Sequence, residues 1–320
     1  MSQRPRAAFL DFATLGPDID TSGLDGVADV TYYGYTPNEE VPRRLDGVEV
    51  AIFNKTRLDR DAIRRSPALK LVVLAATGSD NVDVEEARGR GVAVTNIRDY
   101  CTPAVVQHVF AMVLGLTRKL REYQGAVHAG DWGRSETFAM FDYPIRELTG
   151  KQLGIVGYGT LGRGVGELGR CMGMELLVSA RAGTDAAGNG RLPLDEVLER
   201  ADVVSLHCPL NDATRGLIGR DRLRRMKSDA LLINTARGAL IDNDALVEAL
   251  RQGWIGGAGI DVMEVEPPRG DEALLAQDIP NLILTPHIAW TARESRQRAL
   301  DQVAENVHAF LSGESLRRLV

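Results

Sequence analysis

Cysteine is scarce in this sequence. The three cysteines, Cys101, Cys171 and Cys208, are far apart, and no two of them form a C-x-x-C pair. Such cysteines provide neither a disulfide framework nor the thiolate pairs of a structural zinc site. The five histidines also lack the spacing of metal ligands. We therefore expect reduced thiols, a cytoplasmic location and no bound metal.

Long apolar runs and an excess of basic residues are also missing. The longest apolar run, residues 104–116, is interrupted by Gln107 and His108 and is shorter than the ~20 residues that span a bilayer. The apolar run at residues 7–10 is too short for a signal peptide. The net charge is −6 and basic residues form no block, so a nucleic-acid partner is not expected. The sequence therefore predicts neither a membrane protein nor a nucleic-acid-binding protein.

The 320 residues show a regular alternation of strand and helix patterns and are sufficient for two domains. In the first half, strands are predicted at 7–10, 27–33, 48–53, 71–75 and 92–96, with helices at 38–45 and 59–66. In the second half, strands are predicted at 153–156, 176–179, 203–207, 230–234, 256–261 and 282–285, before a long helix at 291–311. This alternation is typical of the α/β class and predicts doubly wound parallel sheets.

The strand at 153–156 is followed by a G-x-G-x-x-G motif. Gly157 lets the chain turn sharply, Gly159 lets the backbone approach a pyrophosphate, and Gly162 lets the next helix pack closely on the sheet. Free N–H groups at the start of that helix favour an anion. Because strand, turn and helix occur in this order, the motif predicts dinucleotide binding rather than a structural corner.

The end of the next strand bears on the choice of cofactor. An NAD site usually has an Asp or Glu there, about 20 residues after the first glycine, to bind the ribose 2′-hydroxyl. This chain has Ala180 and Arg181 instead, Glu175 lies too early in the strand, and the next acid is Asp185. Arg181 can pair with a 2′-phosphate, so we expect NADPH to be preferred, with NAD possible. The alternative is a solvated surface arginine with NAD bound less selectively.

The middle of the chain contains a long predicted helix and an irregular stretch. Thr102 is the expected N-cap of the helix and Pro103 its first helical residue, and we interpret this helix as the connection between domains. His108 within it is expected to be a packed core histidine. Residues 123–147 are rich in aromatic and charged residues without a clear period, and we interpret them as a dimerisation arm.

Three other strands are each followed by a polar side chain of a different type, Arg237, Glu266 and His287. In open α/β sheets, ligands bind at the carboxyl ends of the strands. There Arg237 would bind a substrate carboxylate and polarise the carbonyl, and His287 would donate a proton as hydride arrives. Glu266, if it contacts the other ring nitrogen, would orient the imidazole and favour its charged form. The three residues together predict a 2-keto acid reductase.

Several separated motifs, in order, resemble the D-isomer-specific 2-hydroxyacid dehydrogenase family. They are the glycine motif at 157–162, N-T-A-R-G at 234–238, G-I-D-V at 259–262 with the E-P pair at 266–267, and T-P-H-I at 285–288. Residues 76–83 and 286–290 look closest to the glycerate dehydrogenase and hydroxypyruvate (glyoxylate) reductase members. The resemblance covers nearly the whole chain and implies that Arg237, Glu266 and His287 are the catalytic set.

The resemblance also implies an architecture and further site residues. It implies a flavodoxin-like substrate domain of residues 1–101 plus 291–320, a dinucleotide-binding Rossmann domain of residues 102–290, a cleft between them, and a homodimer. The loop at 76–81 is, from the sequence alone, either an anion-binding nest or a simple turn. The resemblance implies that this loop binds the substrate carboxylate. The implied substrate-binding residues are Asn54, Ala76, Thr77, Gly78 and Trp290. The implied cofactor-binding residues are Gly157, Tyr158, Gly159, Thr160, Leu161, Gly162, Ser179, Arg181, His207, Pro209, Thr214, Thr235, Ala236 and Asp261, the last at the nicotinamide carboxamide.

The leading hypothesis is an NAD(P)H-dependent reductase of a small 2-keto acid, glyoxylate or hydroxypyruvate, that forms the D-2-hydroxy acid. Two alternatives stay open. One is a cofactor-sensing binding protein of the same fold without catalysis, which the complete Arg/Glu/His set disfavours. The other is a dehydrogenase for another substrate, such as phosphonate, formate or a longer keto acid. The chain departs from the family at Gln107, where the family often has Glu.

Overall fold

The computed structural model describes residues 4–181, 190–276 and 279–320. The chain divides into two units: the first contains the residues up to Cys101 and those from Trp290 onwards, and the second contains Thr102–Ala289. The sequence-based division placed residue 290 in the second unit, next to this boundary. No helix in the described part of the chain has both the length and the apolar character needed to cross a membrane.

The first unit is built on one parallel sheet. Its strands are β1 (Arg6–Phe9), β2 (Asp29–Tyr32), β3 (Val50–Phe53), β4 (Leu71–Leu74) and β5 (Ala93–Thr95). Its first helices are α1 (Ser22–Val27), α2 (Val41–Arg44), α3 (Arg60–Arg64) and α4 (Val84–Gly89), with 3-10 turns at Phe12–Leu15 and Asn38–Glu40. The strand order is β2-β1-β3-β4-β5. The order reverses between β1 and β3, so the ligand crevice of such a sheet lies at their carboxyl ends.

Local sequence explains most of these elements. Strands β3 and β4 are buried along their whole length, which accounts for their continuous apolar runs. The helix predicted at 38–45 is instead a 3-10 turn followed by α2. Pro42 lies in the first turn of α2, where its missing N–H costs nothing. Helix α1 was not predicted, because Gly23 and Gly26 within it are poor helix formers.

The second unit contains the second parallel sheet. Its strands are β6 (Gln152–Val156), β7 (Glu175–Val178), β8 (Val203–Leu206), β9 (Leu231–Asn234), β10 (Gly257–Ile260) and β11 (Leu282–Leu284). Its helices are α5 (Thr102–Thr117), α6 (Leu120–His128), α7 (Thr160–Cys171), α8 (Leu194–Arg200), α9 (Arg220–Arg225) and α10 (Asn243–Arg251), with 3-10 turns at Trp132–Arg134, Gly238–Leu240 and Ala273–Leu275. The strand order β11-β10-β9-β8-β6-β7 reverses between β6 and β8. The two parallel sheets confirm the predicted fold class.

Helix α5 packs inside the second unit, against α7, β9 and β10. A Cβ atom at Gly164 of α7 would come within 2.9 Å of Val106, so this glycine permits the close approach of the two helices. The predicted N-cap is wrong: Thr102 is the first helical residue, and its buried hydroxyl has no hydrogen-bond partner in the described structure.

The stretch at 123–147 is less irregular than the sequence indicated. Helix α6 occupies its beginning, and Gly125 within the helix had obscured the helical pattern. After α6 the chain is mostly without regular structure, and its aromatic side chains include two that lie almost entirely in solvent. Phe138 is 93% exposed and Phe141 is 83% exposed.

The chain ends in the first unit. Helix α11 (Arg293–Leu311) buries Ala299, Leu300, Val303 and Val307 at helical spacing against the apolar residues of the first sheet. The residues after the helix then run antiparallel to β5, where the N–H of Leu319 donates to the carbonyl of Val94 at 2.7 Å. The sequence predicted the helix but not this edge pairing, which depends on a distant strand.

Candidate active site

The glycine motif joins β6 to α7, and its three glycines have different surroundings. A Cβ atom at Gly157 would overlap the backbone of Cys208, and one at Gly162 would overlap the carbonyl oxygen of Gly157. Gly157 also has a φ of +98°. At Gly159, by contrast, no atom of the described residues other than its chain neighbours lies within 4 Å of a Cβ position. The protein's own packing therefore requires the first and third glycines, whereas the second leaves open space at the N-terminus of α7. Of the remaining motif residues, Thr160 begins α7 and is exposed, and Tyr158 and Leu161 are half-buried.

Two buried polar atoms lack partners at the same edge of this sheet. His207 follows β8, which pairs directly with β6, and Thr235 follows β9. Nδ1 of His207 and Oγ1 of Thr235 have no hydrogen-bond partner among the described residues. Buried polar groups are rarely left unpaired, so both atoms fit a bound molecule with polar groups of its own. Together with the open space at Gly159, they fit a dinucleotide.

The His207 ring is itself held in one place. Its Nε2 lies 2.9 Å from Oγ of Ser205, and burial lowers its pKa to about 4. The imidazole is therefore neutral near pH 7 and acts as a hydrogen-bonding group rather than a charge. The following loop contains Pro209, whose carbonyl accepts a hydrogen bond of 2.8 Å from the hydroxyl of Thr214. The side chain of Thr214 therefore shapes this loop.

At the end of β7, Ser179 is buried and donates its hydroxyl to the carbonyl of Ala180 at 3.0 Å. The next residue, Arg181, is exposed. Glu175 is the first residue of β7 and thus lies at the opposite end of the strand. Asp185 lies outside the described residues. Within the described part of this segment, the carboxyl end of β7 therefore carries an arginine and no carboxylate.

His287 and Glu266 are joined by a short hydrogen bond. Nδ1 of His287 lies 2.6 Å from Oε2 of Glu266, and the other carboxylate oxygen accepts a 2.9 Å hydrogen bond from the N–H of Met263. Because a carboxylate oxygen only accepts, Nδ1 carries a hydrogen. Nε2 of His287 has no protein partner within the described structure. The imidazole is thus oriented through one nitrogen while the other remains available to a ligand.

Asp261 organises the loop that carries His287. It follows β10, is buried, and accepts hydrogen bonds on its side chain from the hydroxyl of Thr285 at 2.6 Å and from the N–H groups of Ile288 and Ala289, both at 2.8 Å. Its carbonyl also accepts the N–H of His287 at 2.8 Å. His287 has a φ of +56°, an unfavourable region for most side chains, so the loop needs such anchors. The sequence missed this anchoring role.

Arg237 lies in the loop after β9, beside the Glu266 loop. Asn234 clamps that loop: its Nδ2 donates to the carbonyl of Arg237 at 2.9 Å, and its Oδ1 accepts the N–H of Ala236 at 3.0 Å. A Cβ atom at Gly238 would overlap the backbone of Met263, so the two loops pack in direct contact. Strands β9, β10 and β11 are adjacent. The structure therefore brings Arg237, Glu266 and His287 to one edge of the second sheet.

The first unit places Asn54 at the carboxyl end of β3. The buried carboxylate of Asp11, which follows β1, accepts the N–H groups of Asn54 at 2.8 Å, Lys55 at 2.6 Å and Thr56 at 2.7 Å. Asn81 adds a 3.1 Å hydrogen bond from its side chain to the carbonyl of Asn54. Asp11 was missed in the sequence, although its position directly after the first apolar run was a readable signal.

The loop after β4 contains Ala76, Thr77 and Gly78. The Thr77 hydroxyl donates to the carbonyl of Ile97 at 3.0 Å, and Asn96 donates to the carbonyl of Thr77 at 2.8 Å. The N–H groups of Thr77 and Gly78 donate to no acceptor in the described parts of the protein. Such a fixed loop with available N–H groups matches an anion-binding nest.

Trp290, the last of the expected substrate residues, packs in the first unit. Its ring meets that of Tyr100 edge to face, with centroids 6.1 Å apart. Both residues adjoin the apolar cluster beneath α11. Trp290 is thus at least partly a core residue of that unit.

Comparison with known proteins identifies the family. A family model described as "D-isomer specific 2-hydroxyacid dehydrogenase, NAD binding domain" matches residues 110–289, more than half of the chain. The chain is 43% identical over 280 residues to a glycerate dehydrogenase of Methylorubrum extorquens, covering 88% of each protein. It is 36% identical over 311 residues to a hydroxypyruvate reductase of Blautia hydrogenotrophica, covering 95% of this chain and 96% of the relative.

A solved structure agrees with these relatives. The fold matches an NADPH-dependent glyoxylate/hydroxypyruvate reductase of Sinorhizobium meliloti, solved in complex with NADP and malonate, with a TM-score of 0.81 and 28% identity. The match covers 99% of this chain and 97% of that one. The chain therefore belongs to the D-isomer-specific 2-hydroxyacid dehydrogenase family, and it is an NAD(P)-dependent oxidoreductase that acts on a CH–OH group.

Proposed function

We propose that this protein reduces a small 2-keto acid, glyoxylate or hydroxypyruvate, to the D-2-hydroxy acid. The observation that carries the proposal is the His287–Glu266 pair at 2.6 Å, beside Arg237 at the same sheet edge. Reduction adds a hydride to the carbonyl carbon and a proton to the carbonyl oxygen. The nicotinamide, when bound, supplies the hydride, and a side chain must supply the proton.

His287 is the proton donor in this proposal. Glu266 accepts a hydrogen bond from Nδ1–H of His287. Nε2 is then left to donate its proton to the substrate carbonyl oxygen, which gains negative charge as the hydride arrives. The carboxylate also stabilises the positive charge that the imidazole carries before it donates. In the reverse direction the same nitrogen accepts the hydroxyl proton.

Arg237 binds and polarises the substrate. A guanidinium group offers paired donors in a plane, which suits a carboxylate and an adjacent carbonyl oxygen better than the single ammonium of lysine. The Asn234 clamp and the contact at Gly238 fix the backbone from which this side chain extends. The N–H groups of Thr77 and Gly78 are proposed to bind the substrate carboxylate.

NADPH is the proposed preferred cofactor. The exposed Arg181 at the carboxyl end of β7 supports this choice, because a guanidinium there pairs with the 2′-phosphate of NADPH. The acid that usually binds the ribose 2′-hydroxyl of NAD is replaced by Ala180 and Arg181. The Sinorhizobium meliloti structure contains NADP, in agreement with the proposal.

A homodimer and a cytoplasmic location complete the proposal. The exposed Phe138 and Phe141 support an interface formed by a second copy of the chain. Sedimentation equilibrium of the wild-type protein and a Phe138→Ser/Phe141→Ser variant tests the dimer. We expect the variant to lose the dimer, and a monomeric wild type would contradict the proposed homodimer.

The cytoplasmic location rests on the three cysteines, which form no disulfide with one another.

The activity is tested by following NADPH and NADH oxidation in parallel with glyoxylate, hydroxypyruvate, pyruvate and a branched 2-keto acid. We expect turnover of the two- and three-carbon acids, with NADPH preferred. Faster turnover with NADH would keep the enzyme but reject the cofactor preference. Binding of cofactor without turnover of any acid would contradict the proposed activity and favour a sensing protein.

A further inference from the structure

Helix α5 contributes a histidine to the network around Asp261. Nε2 of His108 lies 3.1 Å from Oγ1 of Thr285 and 3.5 Å from Oδ1 of Asp261. The Thr285 hydroxyl lies 2.6 Å from the same carboxylate oxygen. From the sequence alone His108 was expected only to pack in the core, whereas the helix presents its ring to the loop that carries His287.

The chemistry of the groups fixes the direction of these hydrogen bonds. A carboxylate oxygen cannot donate, so the single hydrogen of the Thr285 hydroxyl goes to Asp261. Towards His108 the hydroxyl can then only accept. Nε2 of His108 must therefore carry a hydrogen and donate it to Thr285. The chain runs from His108 through Thr285 to Asp261 with every donor matched to an acceptor.

The end of this chain is the anchor of the His287 loop. Oδ1 of Asp261 accepts from Thr285 and from the N–H of Ile288, and Oδ2 accepts from the N–H of Ala289. These bonds flank His287 on both sides and hold it at its φ of +56°. Oδ1 thus has both of its lone pairs engaged, whereas Oδ2 retains capacity for one more donor.

We propose that His108 is a positioning residue for His287, because its Nε2–H fixes the Thr285 hydroxyl and thereby the carboxylate that anchors the loop. Helix α5 packs against β9 and β10 and is a rigid support for this contact. The inference rests on the proposed role of His287 as proton donor. Small displacements of a catalytic group lower turnover strongly, whereas a purely packing residue at position 108 affects mainly stability.

Matched variants separate hydrogen bonding from packing. His108→Met and Thr285→Val keep the volume but remove the polar atoms. His108→Gln offers an amide N–H near the position of Nε2, and Thr285→Ser retains the hydroxyl. His308→Gln, on the exposed face of α11, is the control for replacement of a histidine. We expect kcat at saturating cofactor to fall roughly tenfold or more in His108→Met and Thr285→Val, and to recover largely in His108→Gln and Thr285→Ser.

A second readout does not need turnover. The chain has five histidines, so their ring nitrogens are resolvable by ¹⁵N NMR of the ligand-free protein, with single variants for assignment. We expect hydrogen on Nε2 of His108 in the wild type, and shifted or broadened His287 ring signals in His108→Met but not in His308→Gln. An Nδ1–H tautomer of His108 would overturn the inference even if the substituted proteins failed to fold.

Two further outcomes decide the matter. Unchanged kcat and unchanged His287 signals in His108→Met would show that His108 only packs. If the wild type turns over no keto acid, the proposed function fails, yet the tautomer of His108 and the response of the His287 signals still support or overturn the positioning role. The two failures are therefore distinguishable.

Discussion

The carboxylate of Glu266 is shared between the imidazole of His287 and the backbone of its own loop. One oxygen lies 2.6 Å from Nδ1 of His287, and the other accepts the N–H of Met263 at 2.9 Å. Two donors thus converge on one side chain, and only a group with two accepting oxygens satisfies both. The orientation of the imidazole is therefore tied to the backbone conformation of the Glu266 loop.

Glu266→Gln should lower kcat by about 10- to 100-fold, because an amide must turn its NH2 group towards one of the two donors. Steady-state turnover of hydroxypyruvate at saturating cofactor measures the effect. Glu264→Gln is the matched control in the same loop, since Glu264 pairs instead with Arg215 at 3.1 Å. Wild-type turnover in Glu266→Gln would disprove the role of the pair.

Gly238→Ala should disturb the site through the backbone. The added Cβ would overlap the backbone of Met263 and Glu264, which cannot move without displacing the loop of Glu266. We expect a loss of about 1–3 kcal/mol in unfolding free energy together with reduced kcat, measured by urea titration and steady-state assay. Gly23→Ala is the control, because among the described residues outside its own helical turn no atom lies within 4 Å of its Cβ position. Unchanged stability and turnover in Gly238→Ala would show that the two loops are not in firm contact.

Arg181→Ala should raise the KM for NADPH roughly tenfold or more and the KM for NADH much less, since a charge-assisted bond to the 2′-phosphate is lost. Initial rates over a range of each cofactor measure the two constants. Arg225→Ala, at an exposed ion pair with Glu199, controls for the loss of a surface charge. Equal changes for both cofactors would reject the role of Arg181.

His207 should make the ligand-free protein less stable in acid. Its folded-state pKa of about 4 lies below the ordinary value of ~6.5, so the unfolded chain binds the extra proton as the pH falls between these values. Its contribution to stability is therefore complete above pH ~6.5 and is lost as the pH falls towards 4. The wild type should therefore lose unfolding free energy over this pH range, and His207→Asn should lose less of it. The difference between the two losses should reach about 3 kcal/mol.

Urea titrations at several pH values between 7.5 and 4 give this difference, with His308→Gln as the control for an exposed histidine. Parallel pH profiles for wild type and His207→Asn would mean that burial of the His207 ring does not oppose its protonation.

Short-range signals in the sequence were sufficient for much of the fold. Strand ends were predicted to within one or two residues, because buried parallel strands appear as apolar runs. Residues directly after those runs, such as Arg237 and His287, were then placed at the carboxyl edge by topology alone. Helix α6 was missed because Gly125 interrupts its pattern.

The supports of the site were not predictable in the same way. Asp261 was expected to contact the cofactor, but its oxygens also hold the loop of His287. His108 lies 177 residues before Thr285 in the chain, and no local pattern indicates that they are hydrogen-bonded. Contacts of this kind follow from the packing of α5 on the sheet, which only the three-dimensional structure provides.

Turnover by the His287→Asn variant shows whether His287 is the proton donor. Asparagine tolerates the positive φ at this position, so the loop can keep its conformation while the proton donor is lost. With hydroxypyruvate and NADPH as substrates, we predict that the wild type is active and that the kcat of the variant is lower by at least about 100-fold. The variant should bind NADPH as tightly as the wild type in a fluorescence titration. A variant that retains turnover within a few-fold of wild type would contradict the assignment of His287 as the proton donor.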